Sequence, residues 1–172
     1  MRRMQASDRN VVRCAIWDID GVLLDIRPLL DRHIFNREPG TADWPAFNAG
    51  LATCEPIQPY VDLCRALWIG GVRIELLTSR AESLREVTEE CLRLHGVLFD
   101  GLSMRPDGVE HNGSKLEQAA ALAERYDILC CFEDDPVNIS AFRHMGLQVV
   151  AVDSGYHNHP WVPGVESADI RA

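Results

Sequence analysis

A basic excess is missing from this sequence: 17 lysines and arginines face 26 aspartates and glutamates, for a formal net charge of −9. That balance excludes a broad surface laid along a nucleic-acid backbone, which needs a positive field, and leaves room for a narrow contact with the end of a strand. Long apolar runs are missing too. The apolar run nearest the N-terminus is interrupted by Arg13 and ends at Asp18 and Asp20, so neither a signal peptide nor a membrane span is expected. The six cysteines contain no Cys-x-x-Cys pair, and several lie inside apolar stretches. They read as small core residues in a reducing, cytoplasmic compartment. The glycines form neither a Walker phosphate loop nor Gly-x-Gly-x-x-Gly, which removes an ATP-driven kinase module and a dinucleotide site of that type.

What is present is ordinary globular composition, 47% hydrophobic and 25% charged over 172 residues, enough for one domain with a full core. A polar arm is expected at 1–10, the domain at 11–156 and a tail at 157–172. Apolar strand-like runs at 11–17, 72–77, 97–104, 128–132 and 147–152 alternate with segments of helical spacing at 59–69, 81–95, 114–126 and 136–145. Short helices at 28–36 and 44–51 fall in an insert at about 25–56. Such alternation predicts an α/β fold, a doubly wound, Rossmann-like parallel sheet covered on both faces, with that insert as a minimal lid. Ligands of such sheets bind beyond the carboxyl ends of the strands.

The chemistry gathers at those ends. The first strand runs into Asp18-Ile19-Asp20-Gly21, the second into Thr78-Ser79-Arg80, and the 128–132 strand into Glu133-Asp134-Asp135. Alternate residues of an extended segment point to one side, so Asp18 and Asp20 can face one small volume. Two carboxylates that close call for a cation between them or a proton on one. A Mg2+ ion, a nucleophile and a general acid would meet both needs, and that is equipment for phosphoryl transfer. Asp134 would complete a hard-oxygen site with Asp18.

Each of these residues also has a plainer reading. Ser79 fits an N-cap as well as a site residue, whereas Thr78 is better placed for a phosphate oxygen. Lys115 could be a solvated lysine, but its place in the first turn of a helix, after Asn112-Gly113-Ser114, lets it reach an anion. The acids at 133–135 could open a helix at Pro136. His157 and His159, with no acidic or cysteine partner at ligand spacing, read as exposed tail residues.

Together these residues resemble the haloacid dehalogenase phosphatase superfamily from about 11 to 156. The motifs are Asp18 to Gly21, Thr78, Lys115, and the run Glu133-Asp134-Asp135-Pro136-Val137-Asn138. Within it, the segments 43–48, 76–80, 103–107 and 132–135 look most like the phage-type polynucleotide kinase 3′-phosphatase domain. Ser79, Pro136 and His111-Asn112 depart from that subgroup's pattern; Ser79 is a mild change, whereas Pro136 stands where some members carry an Arg that could contact the substrate. The resemblance implies Asp18 as nucleophile and Asp20 as general acid and base. It implies Mg2+ on Asp18, the Asp20 carbonyl and Asp134, with Asp135 or Asn138 in support, and Thr78 and Lys115 on the phosphoryl oxygens. Arg80 and Arg105 are candidates for substrate binding, with surface solvation as the competing reading. In the lid, Trp44 and Phe47 could stack a base or fill a small core, and Arg32, His33 and Arg37 could meet a phosphate backbone. The expected partner is a phosphorylated small molecule or a nucleic-acid 3′ end, with no membrane. A sugar or nucleotide phosphatase and a catalytically idle module are the alternatives. An idle module has no structural need for Asp18, Asp20, Thr78, Lys115 and Asp134 together.

Overall fold

The computed structural model describes residues 11–38, 40–109, 111–155 and 157, with backbone only for 111–113. The expected arm at 1–10, the tail beyond 157 and His159 lie outside the described residues.

Five parallel strands form the central sheet in the order β5-β4-β1-β6-β7: β1 Arg13–Trp17, β4 Arg73–Ala81, β5 Gly101–Arg105, β6 Asp127–Glu133 and β7 Val149–Ala151. The crossovers are helical, as parallel neighbours require: α3 Gln58–Ile69, α4 Arg85–Leu94, α5 His111–Arg125 and α6 Pro136–His144. The expected doubly wound α/β fold is therefore what the chain adopts.

The inner strands β1, β4 and β6 bury both faces, and the two-residue period decides which side chain goes where. Ala15 and Trp17 of β1, Ile74 and Leu76 of β4 and Phe132 of β6 join the core that includes Val61 and Cys64 of α3 and Cys91 and Leu92 of α4. Ile16, Leu77 and Cys131 face the other way, onto Ala119 and Leu122 of α5 and Phe142 of α6. Trp17 and Phe132, paired across β1 and β6, stack with ring centroids 3.6 Å apart.

The insert opens and closes on a small antiparallel pair, β2 Leu24–Asp25 with β3 Glu55–Pro56. Two-residue strands carry no periodic signal, so the sequence reading had no place for them. Between them lie α1 Arg27–Leu30, a π-helical turn Asp31–Phe35, α2 Trp44–Gly50 and a 3-10 turn Leu51–Thr53. Asp43 caps α2, accepting from the Ala46 N–H at 3.1 Å. Phe47 is buried in the core, whereas Trp44, which meets it edge-on at 5.6 Å, is 53% exposed. The aromatic pair thus divides: one ring packs, the other stays at the surface.

Several boundaries differ from the expectation, the run at 97–104 becoming a strand only from Gly101, and two of the differences bear on the site. β4 was expected to end at residue 77 but continues to Ala81, with a register shift between Leu77 and Ala81, and a 3-10 turn Glu82–Leu84 precedes α4. Polar residues suggested a turn; here Arg80 is accommodated in the strand because its charge is paired. Neither helix-start position after β4 has a side-chain cap, so Ser79 is not an N-cap. α5 begins at His111 rather than Ser114, since a single interior glycine costs a helix only about 1 kcal/mol. Lys115 therefore lies beyond the first turn, and the Asn112-Gly113-Ser114 stretch is helical.

Candidate active site

The parity of the strands carries forward past their ends. Ile16 faces α5, so Asp18 does too; Cys131 faces α5 and α6, and Glu133 follows it. Lys115 projects from α5 into the gap between them, with Nζ 2.9 Å from Asp18 Oδ2 and 2.8 Å from Glu133 Oε2. All three are buried, Lys115 to 3% side-chain exposure. Asp18 Oδ1 accepts from the Ile19 N–H at 2.7 Å, and Glu133 Oε1 from the Asp135 N–H at 3.1 Å. Gly21 closes the turn after Asp18 with φ 78°, the left-handed region that glycine enters without strain.

The other parity leads to α4. Leu76 faces α3 and α4, and Arg80, four residues on, is buried on that side. Its Nη1 donates to Thr88 Oγ1 of α4 at 3.1 Å, while Nε and Nη2 fork onto the Asp20 carboxylate at 3.0 and 2.6 Å. Burial acts against the Arg80 charge, but Asp20 more than offsets it and raises the pKa. The solvated reading of Arg80 is thus corrected: its guanidinium is committed to Asp20 and Thr88. Lysine lacks the planar fork that fits a carboxylate. Arg80→Ala is expected to cost about 2 kcal/mol of unfolding free energy, the scale of hydrogen bonds to a charged group, and Arg80→Lys to recover only part of it. Urea unfolding of the two variants checks this, and equal stability of Arg80→Ala and wild type would contradict it.

Thr78 is buried, its Oγ1 accepting from the Arg80 N–H at 3.1 Å. Arg105 lies on the neighbouring strand, its Nε donating to the Ser79 carbonyl at 3.0 Å and its Nη1 to the Val109 carbonyl. Asp135 caps α6: Oδ1 accepts from the Val137 N–H at 2.8 Å and Oδ2 from Asn138 Nδ2 at 3.4 Å.

The carboxylates that converge are Asp18, Glu133 and Asp134, with one oxygen from each lying within 4.8 Å of the others. Burial first, and then the negative charge of Glu133, push the Asp18 pKa well above the carboxylate range, although Lys115 pulls the other way. Lys115 is shared by Asp18 and Glu133, while Asp134 meets His157. The donors are all hard oxygens, which fits Mg2+. The sequence reading left Glu133 out of the metal set. The sequence places Glu133 on the same face of its strand as Cys131, but only the pairing of β1 with β6, which sets Ile16 beside Cys131, shows that it faces Asp18.

His157 is the second correction. Read as an exposed tail residue, it lies at the site with Nε2 3.1 Å from Asp134 Oδ2. Its acidic partner is 23 residues away in sequence, far outside any local ligand spacing. Burial would lower the His157 pKa, but the bond to Asp134 and the charges of Asp134, Asp135 and Glu133 outweigh this and raise it.

These groups open into a cavity of about 750 Å³. Asp18, Asp20, Arg80, Lys115 and Asp134 line its polar side; Leu30, Ile34, Phe35, Trp44 and Phe47 of the insert form an apolar wall, with Arg37 and Arg105 also lining it. Arg32 is exposed. All six cysteines are free thiols, and burial pushes those of Cys14, Cys54, Cys64 and Cys131 up to about 12. No helix among the described residues is long and apolar enough to cross a membrane.

The parallel five-stranded sheet with helices on both faces matches the fold of solved hydrolases, one of them a haloacid dehalogenase-like family protein. Among solved structures, a chain of the Pnkp1/Rnl/Hen1 complex matches with a TM-score of 0.66 at 22% identity, over 86% of this chain and 47% of that one. The class C acid phosphatase from Bacillus anthracis matches at 0.70 and 13% identity, over 94% and 77%. A haloacid dehalogenase-like family hydrolase from Streptococcus pneumoniae matches at 0.60 and 15% identity, over 81% and 84%. At these identities the likeness is one of fold. The chain spans about half the length of the Pnkp1/Rnl/Hen1 chains it matches. No family model and no curated protein matches the sequence.

Proposed function

We propose that the protein is a Mg2+-dependent phosphomonoester hydrolase that works through an aspartyl-phosphate on Asp18, acting on nucleotide or nucleic-acid 3′-phosphate ends. The observation that carries the reading is the convergence of Asp18, Glu133 and Asp134, the first two bridged by Lys115, with the Arg80-bound Asp20 lining the same cavity.

Asp18 attacks phosphorus, the bond to the leaving oxygen breaks, and Asp20 delivers a proton to that oxygen. Asp20 then takes a proton from water, whose oxygen attacks the aspartyl-phosphate and releases phosphate, returning Asp18 to a carboxylate. Arg80 keeps the Asp20 carboxylate oriented. Lys115 holds Asp18 and offsets phosphoryl charge, with Thr78 as a further donor. Asp18, Asp134 and the Asp20 carbonyl would hold Mg2+, with Glu133, Asp135 or Asn138 supporting. When bound, the ion neutralises phosphoryl oxygens and lowers the repulsion among the acids.

For the substrate, the half-exposed Trp44 offers a face for a base at the cavity wall, and Arg37 and Arg105 offer charge. The fold likeness to a chain of an RNA repair complex supports the same reading. The net charge of −9 confines any nucleic-acid footprint to the terminal nucleotides and keeps a small-molecule phosphatase as the competing reading. Purified protein is expected to hydrolyse an aryl phosphate with Mg2+ and to lose that activity in excess chelator. Across a panel, kcat/KM is expected to be higher for 3′-phosphorylated nucleotides and oligonucleotides than for sugar phosphates. Activity that persists in chelator would remove the metal from the mechanism; a sugar phosphate preferred over every 3′-phosphate would replace the substrate assignment; inertness toward all of them would leave the idle module.

A further inference from the structure

The end of the described chain is tied to the site at one side and to the insert at the other. After β7, the Val152 N–H donates to the Glu133 carbonyl at 2.9 Å, so the chain leaves the sheet directly beside the acidic cluster. A turn follows in which the Gly155 N–H donates to Asp153 Oδ1 at 3.1 Å and Gly155 takes φ 77°. Arg27, the first residue of α1 in the insert, clamps this turn by donating through Nη2 to the Ser154 carbonyl. Beyond the turn, His157 reaches Asp134 and lines the cavity.

The three clustered carboxylates need fixed orientations if they are to present oxygens to one ion. Asp18 is held by Ile19 N–H and Lys115, and Glu133 by Asp135 N–H and Lys115. For Asp134, whose side chain is 2% exposed, the imidazole of His157 supplies such a hold. A carboxylate only accepts, so His157 Nε2 carries the proton and donates. Donors to a ligating carboxylate fix its rotation and are worth about 10- to 100-fold in metal affinity.

We propose that His157 is a positioning residue for a divalent-cation site: clamped by Arg27 through the 153–155 turn, it orients the Asp134 carboxylate toward Asp18 and Glu133. This rests on the metal reading of the three acids. It also joins the insert to the metal site through Arg27 and the turn it holds.

The test is Mn2+ binding to the full chain, read as loss of the free-ion paramagnetic resonance signal, with circular dichroism as the check of folding. His157→Ala is expected to raise the Mn2+ dissociation constant about 10-fold or more. His157→Gln, whose amide nitrogen can donate from nearly the same place as Nε2, is expected to recover most of that loss. Arg27→Ala is expected to weaken binding in the same direction by a smaller factor. Should the alanine variant fail to fold, the glutamine variant is compared with His157→Leu, which matches its bulk without a donor. Wild-type affinity in a folded variant without the donor, or glutamine binding no better than that variant, would overturn the role of His157. Wild-type affinity in Arg27→Ala would overturn the clamp. A wild-type protein that is folded but binds no Mn2+ would overturn the metal reading itself.

Discussion

Asp18→Asn is expected to lower kcat by about 10⁴-fold or more, the scale on which removal of a nucleophile acts, and to leave the fold intact. Asparagine keeps the volume, and its carbonyl can still accept from the Ile19 N–H that now lies 2.7 Å from Oδ1. The amide presents no oxygen to replace the contact with Lys115, but Lys115 retains Glu133 at 2.8 Å. Losing the charge of Asp18 also relieves the burial of that charge and its repulsion by Glu133, Asp134 and Asp20, which together raise its pKa. Stability should therefore change little while chemistry stops. Steady-state assay with saturating Mg2+, alongside thermal unfolding, separates the two effects. Near wild-type kcat in that variant would falsify the assignment of the nucleophile.

Replacement of Lys115 is expected to act on stability as strongly as on turnover. Its ammonium, 3% exposed, is shared by two buried carboxylates, and burial works against its charge while Asp18 and Glu133 raise its pKa and keep it protonated. Removing one partner of a buried ion pair leaves uncompensated charge and costs about 3–5 kcal/mol. Lys115→Met keeps most of the volume, so the loss is electrostatic rather than a cavity. Because a divalent cation can supply part of the missing charge, the deficit should narrow when Mg2+ is added. Urea unfolding in chelator and in Mg2+ measures both numbers. A variant as stable as wild type in chelator would show that the cluster does not need the lysine.

The alternation of strands and helices was legible because each helix has an apolar stripe of its own and each buried strand an apolar run. What escaped was structure without a period: the two-residue strands at 24–25 and 55–56, and the π-helical turn at Asp31–Phe35. The extension of β4 escaped for a different reason. Thr78, Ser79 and Arg80 look like a turn unless one knows that Asp20 and Thr88 wait for the guanidinium.

The sequence by itself determined the register of chemistry: which acids, hydroxyls and cations stand at the carboxyl ends of which strands, since chain order and strand ends are local properties. Tertiary structure decided who meets whom. Arg80 and Asp20 are 60 residues apart, and His157 and Asp134 are 23 apart, so only the order in which the strands are laid side by side brings them together. It also decided the states of the groups. A lysine becomes an internal counter-ion, Glu133 joins Asp18 and Asp134, and Asp135 caps α6 at the cavity's edge, because burial makes each charge depend on the partners that folding places within about 3 Å.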